Sequence, residues 1–390
     1  MKTCLYITYD GLLDPLGQAQ ILPYIESLNK KGYKFIILSY EKVKNQNKIL
    51  GLKKILKEKN ILWKTITFRK SKINFFYRIF VGALYINYIK LKSKIDLVHL
   101  RGGYSGLIYL FSFSKIKYIY DLRAFWGQWA EGGRTLKNSL TYKILLKLEK
   151  TIIDNAEAII VLDKSGKNFI NKNFYFNKTL EVISTSTNIE KYKIKSKAEK
   201  NSCIKFVYLG GVSYPPYRIK DALIFLNFLN KLGFQCEIDF INKSEHKIII
   251  DCLEKEKINN IKIKIISLNH DEIFEILPNY HIGFLFLEQG EWLKMSCPTK
   301  IGEYLAAGLG IIGNKGVAVL DRLSKESNCV ETIDIEKGKI FADNQKIKRL
   351  LTKINSISFK KECQKLAKKH FSLKKANSKY LSIYRKVTNK

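Results

Sequence analysis

Short apolar runs alternate along the whole chain with stretches in which apolar residues recur every three or four positions. The first runs cover residues 4–9 and 33–40, with a helical pattern from about 18 to 31 between them, which predicts a β-α-β opening. Further β-rich runs at 96–100, 116–121, 158–162 and 180–183 each precede polar or glycine-containing turns. This half therefore reads as a parallel sheet covered on both faces. Residues 190–202 are polar and lysine-rich with no apolar periodicity, and an interdomain linker is expected there. A second alternation follows, with runs at 204–209, 235–241, 261–266, 281–287 and 310–313 and helical patterns out to residue 384. The expected class is α/β, with two doubly wound domains in tandem over 1–195 and 196–370.

Charge changes this picture more than composition does. The 390 residues carry a formal net charge of +34, which calls for an anionic partner such as nucleic acid, anionic lipid or a phosphorylated substrate; abundant Lys, Ile and Asn also fit a low-GC coding bias. The excess is uneven: residues 42–94 hold fifteen Lys/Arg against one acid, Glu58. Seven scattered cysteines without a C-x-x-C pair argue against a disulfide framework and a zinc site. The five histidines make no ligand cluster and no Asp-x-Asp occurs, so no metal and no cofactor are expected. The first residues lack a signal-peptide core, and no apolar run is long enough to span a bilayer. A cytoplasmic protein, peripheral at the inner face of the cell membrane, is the expectation.

In open α/β sheets ligands bind beyond the carboxyl ends of the strands, and three stretches lie there. Asp10-Gly-Leu-Leu-Asp-Pro-Leu-Gly17-Gln18 joins the first run to its helix; it is not a G-x-G-x-x-G fingerprint, which weighs against a nicotinamide cofactor. Tyr208-Leu-Gly210-Gly211, followed by Arg218 and Lys220, offers close backbone approach together with cations, as a diphosphate requires. Ser296-Cys-Pro298-Thr299-Lys300-Ile-Gly302-Glu303, continuing to Gly308, reads as a loop opening a short helix. It sets a helix N-terminus, a hydroxyl and an ammonium near one another, with Glu303 one turn on.

Taken together these segments resemble the retaining GT-B glycosyltransferases of the large bacterial cell-envelope type (family 4, glycosyl transferases group 1), and the resemblance spans nearly the whole chain. It is carried by Tyr9-Asp-Gly-Leu-Leu-Asp-Pro-Leu-Gly17-Gln-Ala-Gln20, Asp96-Leu-Val-His99-Leu-Arg101, Tyr120-Asp121-Leu-Arg123 and Ser296 to Gly308. It implies two Rossmann-like domains facing a central cleft, with residues 371–390 forming a helix that returns to the first domain. It also implies transfer of a sugar from a nucleotide-diphosphate-sugar to a lipid-linked or surface-glycan acceptor, with retention of anomeric configuration and without a metal, in polysaccharide biosynthesis.

By the same resemblance Glu303 matches the second glutamate of a Glu-x7-Glu motif and binds the donor ribose. Met295 stands where the first glutamate belongs, so the sugar contact falls to Ser296 or Glu291, or is lost. Arg218 and Lys220, with Lys300 supplementing or replacing one of them, would neutralise the diphosphate. Gly210, Gly211, Ser296, Pro298 and Thr299 would complete the donor site, with Gly17 facing the phosphate. Asp121 takes the place where relatives carry a histidine near the reacting sugar, and His99, Arg101 and Arg123 are acceptor-side candidates. Aromatic residues between 63 and 88 mixed into the basic stretch suit an anionic membrane surface. Three rival readings remain: a nucleotide-sugar epimerase of the same fold, a non-catalytic relative, which the missing first glutamate permits, and a basic nucleic-acid-binding protein, which leaves the glycine turns unexplained. No nucleic-acid partner is expected on the first reading.

Overall fold

A strand needs partners on both edges and cover on both faces when its residues are apolar throughout, and β1 (Lys2–Thr8) shows this, with Cys4, Leu5, Tyr6 and Ile7 all buried. In the computed structural model, which describes residues 1–42, 46–68, 73–126, 139–194, 203–213, 217–256, 261–288, 295–336 and 338–389, it is an interior strand of a seven-stranded parallel sheet. The others are β2 (Tyr33–Lys42), β3 (Ile61–Phe68), β4 (Leu97–Arg101), β5 (Tyr118–Asp121), β6 (Ala158–Val161) and β7 (Thr179–Val182), in the order β3-β2-β1-β4-β5-β6-β7. A second sheet repeats the plan with β8 (Ile204–Leu209), β9 (Cys236–Ile241), β10 (Lys262–Ile266), β11 (Ile282–Leu285), β12 (Gly310–Asn314), β13 (Val330–Glu336) and β14 (Lys339–Phe341), in the order β10-β9-β8-β11-β12-β13-β14. Only the β13–β14 pairing is antiparallel among the described ladders.

The chain groups into two units, Met1–Ser184 with Leu373–Lys390 and Thr185–Ser372. Residues 185–194, expected in the first domain, thus group with the second. Thr187 N–H donates to the Phe371 carbonyl at 2.9 Å, and Ile189 and Tyr192 are buried; residues 195–202 of the expected linker lie outside the described residues. The helical stretch near 18–31 is two helices, Pro15–Gln20 and Leu22–Asn29. Pro23 lacks the N–H that would continue the first into the second.

The last helix, Leu373–Thr388, belongs to the first unit. Ala376, Tyr380, Ile383, Tyr384 and Val387 follow the helical repeat and bury among β1, β2 and the helix Leu22–Asn29. The Tyr384 hydroxyl lies 2.8 Å from His99 Nδ1 and 3.6 Å from the Cys4 sulfur. Tyr384→Phe leaves a buried imidazole nitrogen unpaired, and should lower unfolding stability by about 1–2 kcal/mol in a denaturant titration without altering the m-value.

The basic stretch 42–94 is one run of sequence but not one surface. Its helices, Gln46–Glu58 and Ile73–Lys92, follow crossovers that leave β2 and β3 in opposite directions across the sheet, and right-handed connections then put them on opposite faces. Of its aromatic residues, Trp63 is buried, donating its indole N–H to Ser39 Oγ at 2.8 Å, and the Arg78 guanidinium lies over Phe68 at 4.8 Å. Phe76, Tyr77, Phe80 and Tyr88 are exposed.

Candidate functional site

In the second sheet the order reverses between β8 and β11, and a crevice forms beyond their carboxyl ends where the crossovers part. Gly210 follows β8 with φ 94°, a backbone conformation that L side chains rarely adopt, and its open side faces Lys300, whose ammonium would sit 3.8 Å from an added Cβ. Lys300 comes from the helix Thr299–Ala306, which starts on Pro298 and follows the loop after β11. Glu303 lies one turn further along the same helix.

Lys300 is 4% exposed, and its Nζ has no hydrogen-bond partner among the described residues. It rests instead over the rings of Tyr217 at 3.9 Å and Tyr208 at 4.6 Å, whose π faces stabilise a cation by roughly 0.5–2 kcal/mol each. Burial pulls the ammonium down to about 7, against the pull of the Glu303 and Glu245 charges. Burial likewise pushes the Glu303 carboxyl up to about 7, against Lys300. A buried cation left without a hydrogen-bonding partner is costly, and an incoming anion would remove that cost.

The turn opposite is rigidly held. Asn242 Nδ2 donates to the Gly210 carbonyl at 3.0 Å, and the Glu245 carboxylate accepts from the Val212 N–H at 2.6 Å and from the Ser213 hydroxyl. The Leu209 N–H donates to the Tyr304 hydroxyl at 2.8 Å, which ties β8 to the helix that carries Lys300. Thr185 Oγ1 donates to the Cys297 carbonyl at 2.8 Å and anchors the loop. Ser296, Pro298 and Thr299 are half-buried along it, and Gly211 is exposed. Glu291 lies outside the described residues.

Arg218 and Lys220 are not brought to Lys300 as free cations. Arg218 is spent on Asp221, with Nε 2.6 Å from its carboxylate, and Lys220 reaches out to Glu256 at 2.7 Å. The sequence shows their charge but not the counter-charges three residues on and on the next helix. A separate hollow of about 570 Å³ lies beside them, lined by Tyr217, Ile224, Ile248 and Cys252 among others; Lys300 and Glu303 do not line it.

In the first unit the β4–β5 register sets Arg101 beside Asp121 and His99 beside Ile119. Asp121 is fully buried. One carboxylate oxygen meets the Arg123 guanidinium, the Tyr380 hydroxyl at 3.1 Å, His99 Nε2 at 3.4 Å and Arg101 Nη1 at 3.7 Å. Burial pushes this carboxyl up, but Arg123, His99 and Arg101 together hold it well below the usual carboxylate range. Burial pulls the His99 imidazole down, against Asp121, so it is neutral at pH 7. The three acceptor-side candidates, His99, Arg101 and Arg123, thus form one cluster with Asp121, completed by Tyr380 and Tyr384 from the last helix. Their i, i+4 spacing was the only sequence signal for those two.

Gly17 has a different setting. Its side-chain position is filled by its own loop, with the Gly11 carbonyl 2.2 Å and Leu12 Cα 2.5 Å from an added Cβ. The Leu12 N–H donates to the buried Glu41 carboxylate at 2.6 Å. An internal carboxylate therefore holds one N–H of this turn.

Among the described residues no group of three His, Cys, Asp or Glu side chains gathers as a metal site would require, and no helix is long and apolar enough to cross a membrane. No protein-family model matches the chain, and no curated protein matches it. Solved structures do. A sucrose-phosphate synthase from Thermosynechococcus elongatus superposes with TM-score 0.73 at 12% identity over 99% of each chain. A glycosyltransferase from Rickettsia africae does so with TM-score 0.68 at 17% identity over 99% of this chain and 98% of its own. The Anabaena protein HepE, solved in complex with UDP-glucose, gives TM-score 0.67 at 13% identity over the whole of both chains. These likenesses, with the two sheets, establish the fold as GT-B, built from two Rossmann-like domains.

Proposed function

We propose that this protein is a glycosyltransferase that takes a nucleotide-diphosphate-sugar at the β8–β11 crevice and passes the sugar to an acceptor bound by the first unit. The observation that carries this reading is the buried Lys300 ammonium, without a hydrogen-bonding partner among the described residues, facing the Gly210 turn, with Glu303 on the same helix. A diphosphate supplies the missing anion, and Glu303 accepts hydrogen bonds from the ribose hydroxyls. Lys300 then stabilises the charge that develops on the departing phosphate, inside a site where burial strengthens that interaction. Arg218 and Lys220, already paired, are assigned no phosphate contact. The relatives that the fold resembles support a uridine diphosphate sugar as the donor. Retention of configuration, independence of metal and a lipid-linked or surface-glycan acceptor complete the proposal.

The site fixes a pH dependence. The free Lys300 ammonium titrates at about 7, and an anion favours its charged form, so binding takes up a proton above that pH; ionised Glu303 opposes the anion in the same range. Affinity for a nucleoside diphosphate should therefore fall as pH rises from 7 to 9, by up to about tenfold per unit. Calorimetry in two buffers of different ionisation heat measures the proton uptake directly.

The reaction itself is tested by incubating the protein with labelled nucleotide sugars, with and without a membrane-lipid or glycan extract, and following the label. Transfer that requires the extract, with the anomeric configuration of the donor preserved, is the expected result. Conversion of the donor to a different nucleotide sugar without any acceptor overturns the reading in favour of an epimerase.

A further inference from the structure

The helix Ile73–Lys92 carries two apolar faces where a helix covering a sheet needs one. Ile79, Ala83, Ile86 and Ile89 turn inward and are buried. Phe76, Tyr77, Phe80, Leu84, Tyr88 and Leu91 are 50–85% exposed, and at ~100° per residue they fall within an arc of roughly 120°. The pattern extends to the end of the next helix, Gly103–Phe111, where Phe111 is exposed. Phe113 beyond it is 84% exposed and held at φ 50°, a strained conformation for a bulky residue. An aromatic ring kept in solvent at a conformational cost is the opposite of what packing alone selects.

The charge around this surface is of one sign. Residues 73–120 contain seven Lys/Arg and a single acid, Asp96, whose carboxylate accepts the Thr3 N–H at 2.8 Å. Lys92 and Lys94 precede β4, and the exposed Lys115 and Lys117 precede its neighbour β5. All four therefore lie at the same end of the sheet as Leu91 and Phe113.

We infer that the exposed face of Ile73–Lys92, with Phe111 and Phe113, is the surface by which the protein lies on an anionic lipid bilayer. The apolar side chains enter the boundary between headgroups and acyl chains, and the flanking lysines meet the headgroups. A second copy of this chain is disfavoured because it would bring together two like-charged surfaces of a protein with net charge +34. Single-stranded nucleic acid is disfavoured because Leu84 and Leu91 offer no stacking plane. The inference deepens the proposed function by giving a lipid-linked acceptor a route to the first unit, but its test is independent of the donor.

The experiment is flotation of the purified full-length protein with vesicles of phosphatidylcholine alone and of phosphatidylcholine with phosphatidylglycerol, for wild type and for Phe76→Ser/Phe80→Ser/Leu91→Ser. The replaced residues are exposed, so the variant should melt at the wild-type temperature. The expected result is binding to the anionic vesicles only, weakened by salt and about a hundredfold weaker in the variant. Equal binding by a folded variant overturns the inference, as does the absence of vesicle binding together with dimerisation or RNA binding that the variant loses. If the variant does not fold, Lys92→Glu/Lys94→Glu/Lys115→Glu/Lys117→Glu serves instead, and undiminished binding to anionic vesicles overturns it. Loss of nucleotide binding in any of these variants would bear on the donor site and not on this surface.

Discussion

Lys300→Met should lower the affinity for a nucleoside diphosphate by at least about a hundredfold, or roughly 2.7 kcal/mol, while leaving the melting temperature of the free protein no lower than that of wild type. The two halves of this result have one cause. Folding places the ammonium among Tyr208, Tyr217 and the Gly210 turn with no hydrogen-bond acceptor among the described residues, so the unliganded protein bears its desolvation cost. Methionine fills a similar volume without the charge and relieves that cost, but leaves nothing to meet the phosphate. Thermal unfolding with and without nucleotide separates the two effects. A variant that melts far below wild type without ligand would show that Lys300 is structural.

Asp121→Asn should cost about 3–5 kcal/mol of stability at pH 7, since it removes the buried counter-charge of Arg123 and leaves Arg101 only the half-exposed Asp10 at 3.5 Å. Its effect is pH dependent with a definite sign. The folded carboxyl is held below its unfolded value, so its contribution is fully present above the ordinary carboxylate range and is lost as pH falls through and below about 4. Wild type should therefore lose stability steeply on acidification, and the variant, already destabilised, should lose less. Urea titrations at pH 7, 5 and 3 read both slopes. The cluster includes Tyr380 and Tyr384, so its loss should also loosen the last helix from the first unit.

The two sheets were legible because most strands are apolar on both faces and stand between helical repeats. β3 was not, since its short apolar pattern sits among lysines and aromatics that read as a surface patch, and only Ile61 and Trp63 on one face and Ile66 on the other are buried. β13 was missed for a related reason, because Glu331 and Asp334 interrupt its apolar residues. The segment from Ser296 to Gly308 could be placed from local signals alone, a proline before the first turn and a glycine after the last. What surrounds Lys300 could not, since Tyr208 reaches it through the β8–β11 pairing and Tyr217 through its bridge to Leu287. Arg218 and Lys220 show the converse: a cation in a sequence advertises its charge, and only the fold shows whether Asp221 or Glu256 already neutralises it. Gly17 was legible as a close-approach glycine, but what approaches is its own loop.

The most direct test is a thermal-shift screen of the wild-type protein against UDP, GDP, their sugar conjugates and NAD at concentrations well above usual affinities, since a ligand that binds the folded state raises its apparent stability. The account predicts a rise with one nucleoside diphosphate and its sugar conjugates, largest near pH 7 and smaller at pH 9, and none with NAD. No rise with any nucleoside diphosphate, or an equal rise in Lys300→Met, would contradict it.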